Sequence, residues 1–530
     1  MNQSPHLKFG WLIAIAGLLT AYLFGFFVDV MDIDAAQYAS IAREMLTDKS
    51  YLQVTHWHSA YLDKPPLLFW LSCLSFKILG VSTFAYKLPS FLFSLLGFYS
   101  LYRFARLYYD EAAARLSAII LASCQAMFLI NNDVRTDTLL MGSVIFSVWQ
   151  IAAYLKDGRF LNLIGGSAGI GLAMLAKGPI GLVIPVFAFT GDALLRKNFR
   201  QLLQWKWLIG LLIIAVTLTP MCIGLYRQFG WIGLKFYFWT QSFGRITGDS
   251  EWKNDAGDLY LIHEFLWAFL PWTALFAYAL FLRLKDVFQK KPSSEFITLS
   301  GFMLTFIALS LSRYKLPHYI FVIAPFAAVM TAHFIAKFPK RVAWFQLPLI
   351  LLAWAFTALV SFGIFPVKSW LLWSALLVFF FTAIFFLFKN SKEHVIATLL
   401  TIGAFNILLN AHVYPALLKY QPSRQIAERL QKENAPVRNF FTYKTNSHSL
   451  DFYCGMVAQG IYEPERLKAK AADSLWLYVR EKDFREVVVL NIPFTVIDSF
   501  DFYSVSNLSP EFVNPETREK KVSKVYLLEF

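Results

Sequence analysis

Nine side chains carry most of the reactive potential of this sequence: Asp34, His56, His58, Asp63, Lys64, Asp137, Lys177, Arg245 and Lys315. Two carboxylates, Asp34 and Asp137, could hold or activate a nucleophile if they converge. Four cations, Lys64, Lys177, Arg245 and Lys315, suit a ligand that carries phosphate. His56 and His58, with one residue between them, are a candidate metal pair, although such pairs are more often polar surface residues. Each carboxylate also has a purely structural reading. Asp34 and Asp137 both stand where a helix begins, and aspartate caps helix N-termini well.

The elements that must position these groups are apolar. Of 530 residues, 57% are AVILMFWYC and only 16% are charged, against about 25% in ordinary soluble proteins. That excludes a disordered chain, a coiled coil and a single soluble globule. The expected fold is an α-helical polytopic membrane protein with about 13 transmembrane helices and a small C-terminal α/β domain. The thirteen segments are 9–28, 84–105, 113–131, 138–155, 160–176, 179–195, 206–226, 261–282, 295–312, 317–336, 343–365, 370–388 and 395–414. The apolar stretch 65–80 is too short to cross and is expected to be re-entrant or interfacial. With the N-terminus inside, nineteen lysines and arginines fall in the inner connections and five in the short outer connections. This is the positive-inside pattern, and an odd span count puts the C-terminal part outside. Nothing in the first segment reads as a cleavable signal.

Two outer loops are long, about 29–64 and 227–260. Long loops in compact proteins tend to be functional. The first contains a helical pattern over 35–46, with Tyr38, Ile41, Ala42 and Met45 on one face, expected to lie in the membrane interface. Residues 1–417 form the membrane part and 418–530 the α/β part. In the latter, 423–433 reads as a helix capped by Ser423. Segments 440–443, 474–479, 486–490 and 524–530 read as strands.

With this topology, Asp34, Lys64, Asp137, Lys177, Arg245, Lys315 and His318 share the outer face. Lys177 and Lys315 are on the wrong side for the positive-inside rule, so a second reason for them is needed. An anionic ligand supplies one. A lipid headgroup as bystander supplies another. The net charge of +14 is accounted for by inner loops and such a site, and nucleic acid is not an expected partner.

In order along the chain, these residues resemble a known family. Asp34-Ala-Ala-Gln-Tyr38-Ala-Ser-Ile-Ala-Arg-Glu-Met45 is similar to the signature that follows the first span of the bacterial aminoarabinose transferases. These enzymes are akin to the protein O-mannosyltransferases and have the GT-C glycosyltransferase fold. Tyr61-Leu-Asp-Lys64-Pro-Pro-Leu-Leu-Phe-Trp70, Arg135-Thr-Asp137, Leu175-Ala-Lys177-Gly178, Pro271-Trp272 and Ser312-Arg-Tyr-Lys315-Leu-Pro317 continue the likeness. It spans about residues 9–420, with a similar outside tail.

The resemblance implies transfer of a sugar from a polyprenyl-phosphate donor to lipid A or another envelope acceptor, at the periplasmic face of a bacterial inner membrane. It maps Asp34 to the principal catalytic carboxylate and Asp137 to the second acidic position. Lys64, Lys177, Arg245 and Lys315 become donor-phosphate contacts. The family's Asp-Glu is Asp34-Ala35 here, and its Glu-His is Gln241-Ser242. The departures remove one ligand of any metal, so no cofactor is assigned, and a divalent metal stays possible through Asp63, His56 and His58. The competing reading is a transporter or flippase of an anionic lipid. Transporters favour internal repeats and polar sites at mid-membrane, and neither is visible.

Overall fold

The computed structural model describes residues 5–241, 244, 254, 256–257, 259–389, 393–471 and 474–530. The chain is a multi-span helical membrane protein with a C-terminal sheet domain. Every one of the thirteen apolar segments is largely helical. Among the described residues, however, eight helices are long and apolar enough to cross a membrane, or ten if two bent pairs each count as one span. The difference from thirteen lies in short, bent or polar elements. The helix Ile297–Ser310 has 14 residues, and Tyr260–Ala268 turns by 118° into Thr273–Phe288.

Helix α1 (Pro5–Gly25) ends in a buried cap. Lys87, on the long helix α4 (Thr83–Tyr108), donates from Nζ to the carbonyls of Gly25 (2.9 Å) and Val28 (2.6 Å). The carbonyls at a helix end have no intrahelical partners and carry partial negative charge. A buried ammonium answers both needs and fixes the start of the first long loop.

That loop contains α2 (Asp34–Asp48), as the periodicity expected. Its setting differs from expectation. Residues on nearly every side are buried, Arg43 and Glu44 included. It is packed between the short helix α3 (Leu67–Leu79) and the C-terminal domain rather than floating in an interface. With 13 residues, α3 is too short to span, as 65–80 suggested. Between them, strands β1 (Thr55–His56) and β2 (Ser59–Ala60) form a hairpin whose turn residues Trp57 and His58 are both left-handed, φ 53° and 54°. Such a turn normally takes Asn-Gly. Glu44 compensates by accepting both turn amides at 2.9 Å.

The helices that follow are α5 (Glu111–Ser123), α6 (Gln125–Asn132), α7 (Thr136–Asp157), α8 (Phe160–Lys177), α9 (Ile180–Arg196) and α10 (Trp207–Lys235). Helix α10 extends past 226, so the second long loop begins as helix, broken at Gly230. Gly178, at φ 87°, turns α8 into α9 and leaves Lys177 as the last residue of α8.

The C-terminal sheet has the order β4-β3-β5-β7-β6. Its strands are β3 (Phe440–Tyr443), β4 (Gln459–Ile461), β5 (Trp476–Arg480), β6 (Thr495–Phe502) and β7 (Ser523–Glu529). β3 pairs in parallel with β4 and β5, and β7 is antiparallel to β5 and β6. Successive side chains face opposite sides. Trp476 and Tyr478 therefore join one core with Ile426 and Leu430, while Leu477 and Val479 join another with Leu467 and Val487. The segment 486–490 is not a strand. Residues 486–489 end the helix Glu481–Val489, whose Val487 packs under the sheet, and Leu490 is its C-cap. The helix Ser423–Lys432 is present, but Ser423 does not cap it, because its hydroxyl meets Ser449 Oγ at 2.7 Å.

The sheet domain is fastened to the first loop. Phe452, on the helix His448–Cys454, joins the hydrophobic core of the helical part beside Phe76 and Tyr86. Asp32 accepts hydrogen bonds from Ser449 N (3.1 Å) and Ser449 Oγ (2.6 Å). Trp57 donates its indole N–H to Asp451 at 2.8 Å.

Candidate active site

Asp34 is the first helical residue of α2 and caps nothing. Its carboxylate accepts a hydrogen bond from Nη1 of Arg135, the residue preceding α7. The Arg135 Nε donates to Asp133 at 2.8 Å. Burial opposes the Arg135 charge, but Asp133 and Asp34 outweigh it and hold the guanidinium above the usual arginine pKa. His318 Nδ1 stands 3.4 Å from the same guanidinium.

Asp137, in the first turn of α7, is 1% exposed and likewise caps nothing. Lys177 Nζ donates to it at 2.5 Å, and His318 Nε2 is 3.7 Å away. Tyr319 lies beneath the Lys177 ammonium, 4.0 Å from Nζ to the ring centre, a cation–π contact. Sequence numbers 137, 177 and 318 thus meet at one point. The glycine turn at 178 makes this possible, and the negative end of α8 favours a cation there.

Lys64 pairs with Asp63 at 2.6 Å, and Gln241 donates its side-chain N–H to the Asp63 carbonyl. A cavity of about 190 Å³ is lined by Asp34, Lys64, Arg135, Asp137, Lys177 and His318. Leu140, Ile180, Val183, Phe187 and Leu309 form apolar walls. Charged groups and an apolar slot therefore share one space.

Four of the expected site residues, Asp34, Asp137, Lys64 and Lys177, come together. Lys315 stands apart from this cavity. Its Nζ faces the carbonyls of Ala256 (3.3 Å) and Gly257 (3.5 Å), and its backbone is tied to Asn254. Arg245 lies outside the described residues. The proposed metal set does not assemble. His56 stacks on Trp57 (4.4 Å) and neighbours His448 (5.0 Å). His58 points instead to Asp48, 3.2 Å away, near Glu44. Asp63 serves Lys64. At the cavity itself, Arg135, Lys64 and Lys177 already neutralise the carboxylates, a donor set that does not fit a bound cation.

Arg135, Asp133 and His318 are site residues that the sequence reading did not assign. Arg135 could have been found, since it opens the Arg-Thr-Asp motif. Asp133 had no comparable signal.

The chain is similar to several known proteins. Residues 63–223 match the family model for dolichyl-phosphate-mannose-protein mannosyltransferase. The chain is 25% identical over 308 residues to undecaprenyl phosphate-alpha-4-amino-4-deoxy-L-arabinose arabinosyl transferase 2 of Proteus mirabilis, and 27% identical over 310 residues to the corresponding Erwinia tasmaniensis protein. Each match covers 57% of this chain and 54% of the relative. The chain thus spans about half the length of these curated relatives. A crystal structure of ArnT from Cupriavidus metallidurans bound to undecaprenyl phosphate superposes with TM-score 0.74 at 16% identity, covering 98% of both chains. That likeness extends to the C-terminal sheet domain. The chain thus shares the fold of that structure over nearly its whole length, and residues 63–223 carry the likeness to the mannosyltransferase family model.

Proposed function

We propose that this protein is a membrane glycosyltransferase. It takes a sugar from a polyprenyl-phosphate donor and transfers it to lipid A, as aminoarabinose, or to another envelope acceptor. In this reading residues 1–417 carry the reaction and 418–530 form a separate α/β domain. The site and that domain are periplasmic, in a bacterial inner membrane. The observation that carries the reading is that Lys64, Lys177 and Asp34 line one cavity with the apolar side chains of Leu140, Ile180, Val183, Phe187 and Leu309.

The polyprenyl chain lies along Ile180, Val183 and Phe187, and the phosphate meets Lys64 and Lys177. Breaking the sugar–phosphate bond builds positive charge on the sugar and negative charge on the departing phosphate. Two preset ammonium groups stabilise that charge as it forms. Their partners Asp63 and Asp137 hold them in place, so Asp137 acts as a positioning residue. Asp34 orients the acceptor. An acceptor that is already ionised, such as a phosphate, needs no general base, so orientation by Asp34 is sufficient. These steps are assigned to the chain's own side chains, and a divalent metal remains a possible addition to them. Among the described residues, the one acidic group with metal-ligand spacing, Glu44, Asp48 and His58, is separate from the cavity lining.

Purified protein in nanodiscs, supplied with undecaprenyl-phosphate aminoarabinose and lipid A, is expected to give glycosylated lipid A and free undecaprenyl phosphate. Release of neither product by the active preparation would overturn the proposal.

A further inference from the structure

A second cavity lies between the C-terminal sheet and the loop that leads to α2, and holds about 250 Å³. It shares Asp32, Ile33, Val505 and Ser506 with a third, of about 550 Å³, that reaches Asp34 and Arg135. The two cavities therefore adjoin at these residues and line a cleft between the sheet domain and the Asp34–Arg135 pair.

Arg480, the last residue of β5, lines the sheet end of this cleft. Its guanidinium lies on the Phe502 ring, 4.7 Å from the centroid, which fixes its plane. Its Nε is buried and has no hydrogen-bond partner, and Nδ1 of His448 across the cleft is in the same state. Buried polar atoms left unpaired are costly, so a partner for both is expected. The carboxylate at hand, Asp32, is committed to Ser447 and Ser449. An arginine, an imidazole and several hydroxyls in a partly aromatic cleft match an anionic, hydroxyl-rich ligand.

We propose that this cleft binds the headgroup of the acceptor, a phosphorylated saccharide. Arg480 takes an anionic group of that headgroup, and the C-terminal domain thereby selects the acceptor. The inference rests on the transfer reading only for the word acceptor.

Two full-length variants in nanodiscs test it: Arg480→Ala, and Ser506→Trp, which fills the cleft from an exposed position. The probe is the bisphosphorylated glucosamine disaccharide obtained by deacylating lipid A, measured by calorimetry. Wild type is expected to bind it, with affinity falling about tenfold or more in both variants and partly restored by Arg480→Lys. The dephosphorylated disaccharide should bind weakly and equally to wild type and Arg480→Ala. In transfer, the acceptor KM rises in both variants while the donor KM is unchanged. Absence of probe binding by wild type, or binding indifferent to both substitutions, overturns the site. Equal binding of glycerol phosphate overturns its saccharide part. Probe binding without any transfer leaves the site intact and removes the proposed reaction instead.

Discussion

Arg135 bridges two carboxylates, donating from one guanidinium nitrogen to Asp34 and from Nε to Asp133 at 2.8 Å. It therefore aims Asp34 while anchored to the other wall of the cleft. Arg135→Lys keeps a charge but cannot span both partners. Transfer is expected to fall about 100-fold or more, the scale of losing one preorganised electrostatic contact. Donor binding, read by undecaprenyl-phosphate protection against heat, should stay near wild type. Wild-type turnover in Arg135→Lys would show that the bridge is not needed.

Lys177 and Asp137 form a buried pair, with side chains 14% and 1% exposed. Removing one partner strands the other, at a cost of about 3–5 kcal/mol. Lys177→Met should lower apparent Tm markedly, and Asp137→Asn in the same chain should restore much of it. Activity should not return in the double variant, because the phosphate contact is still missing. Recovery of transfer would assign Lys177 to folding alone.

The hairpin turn offers a change in the opposite direction. His58 is left-handed at φ 54°, a conformation glycine adopts freely. His58→Gly should raise stability by about 1 kcal/mol. Its transfer rate should match wild type with and without chelator. A loss of activity rescued by divalent metal would instead make Glu44, Asp48 and His58 a functional site.

His56 gives a pH dependence. Burial, with His448 nearby, pushes its pKa down to about 4 from the ordinary 6.5. The folded state keeps it neutral where the unfolded chain takes up a proton. Its contribution is therefore complete above pH 6.5 and is lost progressively as pH falls toward 4. His56→Phe should show a smaller drop in apparent Tm between pH 7 and pH 5 than wild type. Identical drops would contradict the burial of His56 against Trp57 and His448.

The site was legible where side-chain chemistry conflicted with position. Lys177 stood in a tight outer turn with no topological reason, and the structure pairs it with Asp137. Lys64 and Asp34 were legible from motif spacing. Lys315 had the same anomaly as Lys177, yet backbone carbonyls 59 and 58 residues earlier receive its ammonium, a contact no local pattern records. The fold was legible as apolar periodicity, and the number of spans was not legible where helices are short or bent, as at Ala268–Thr273. The helix 481–489 was read in part as a strand because the run Val487-Val-Val489 favours strands locally. Burial of Val487 under the sheet fits either state.

The most direct measurement is mass spectrometry of lipid A from isogenic cells that express wild type, Asp34→Asn or no protein. A sugar-bearing lipid A species present only with wild type is the predicted result, with Asp34→Asn protein at normal abundance in the membrane. The same lipid A profile in all three strains, with wild type expressed, would contradict lipid A as the acceptor. Unchanged modification in the Asp34→Asn strain alone would contradict the role of Asp34.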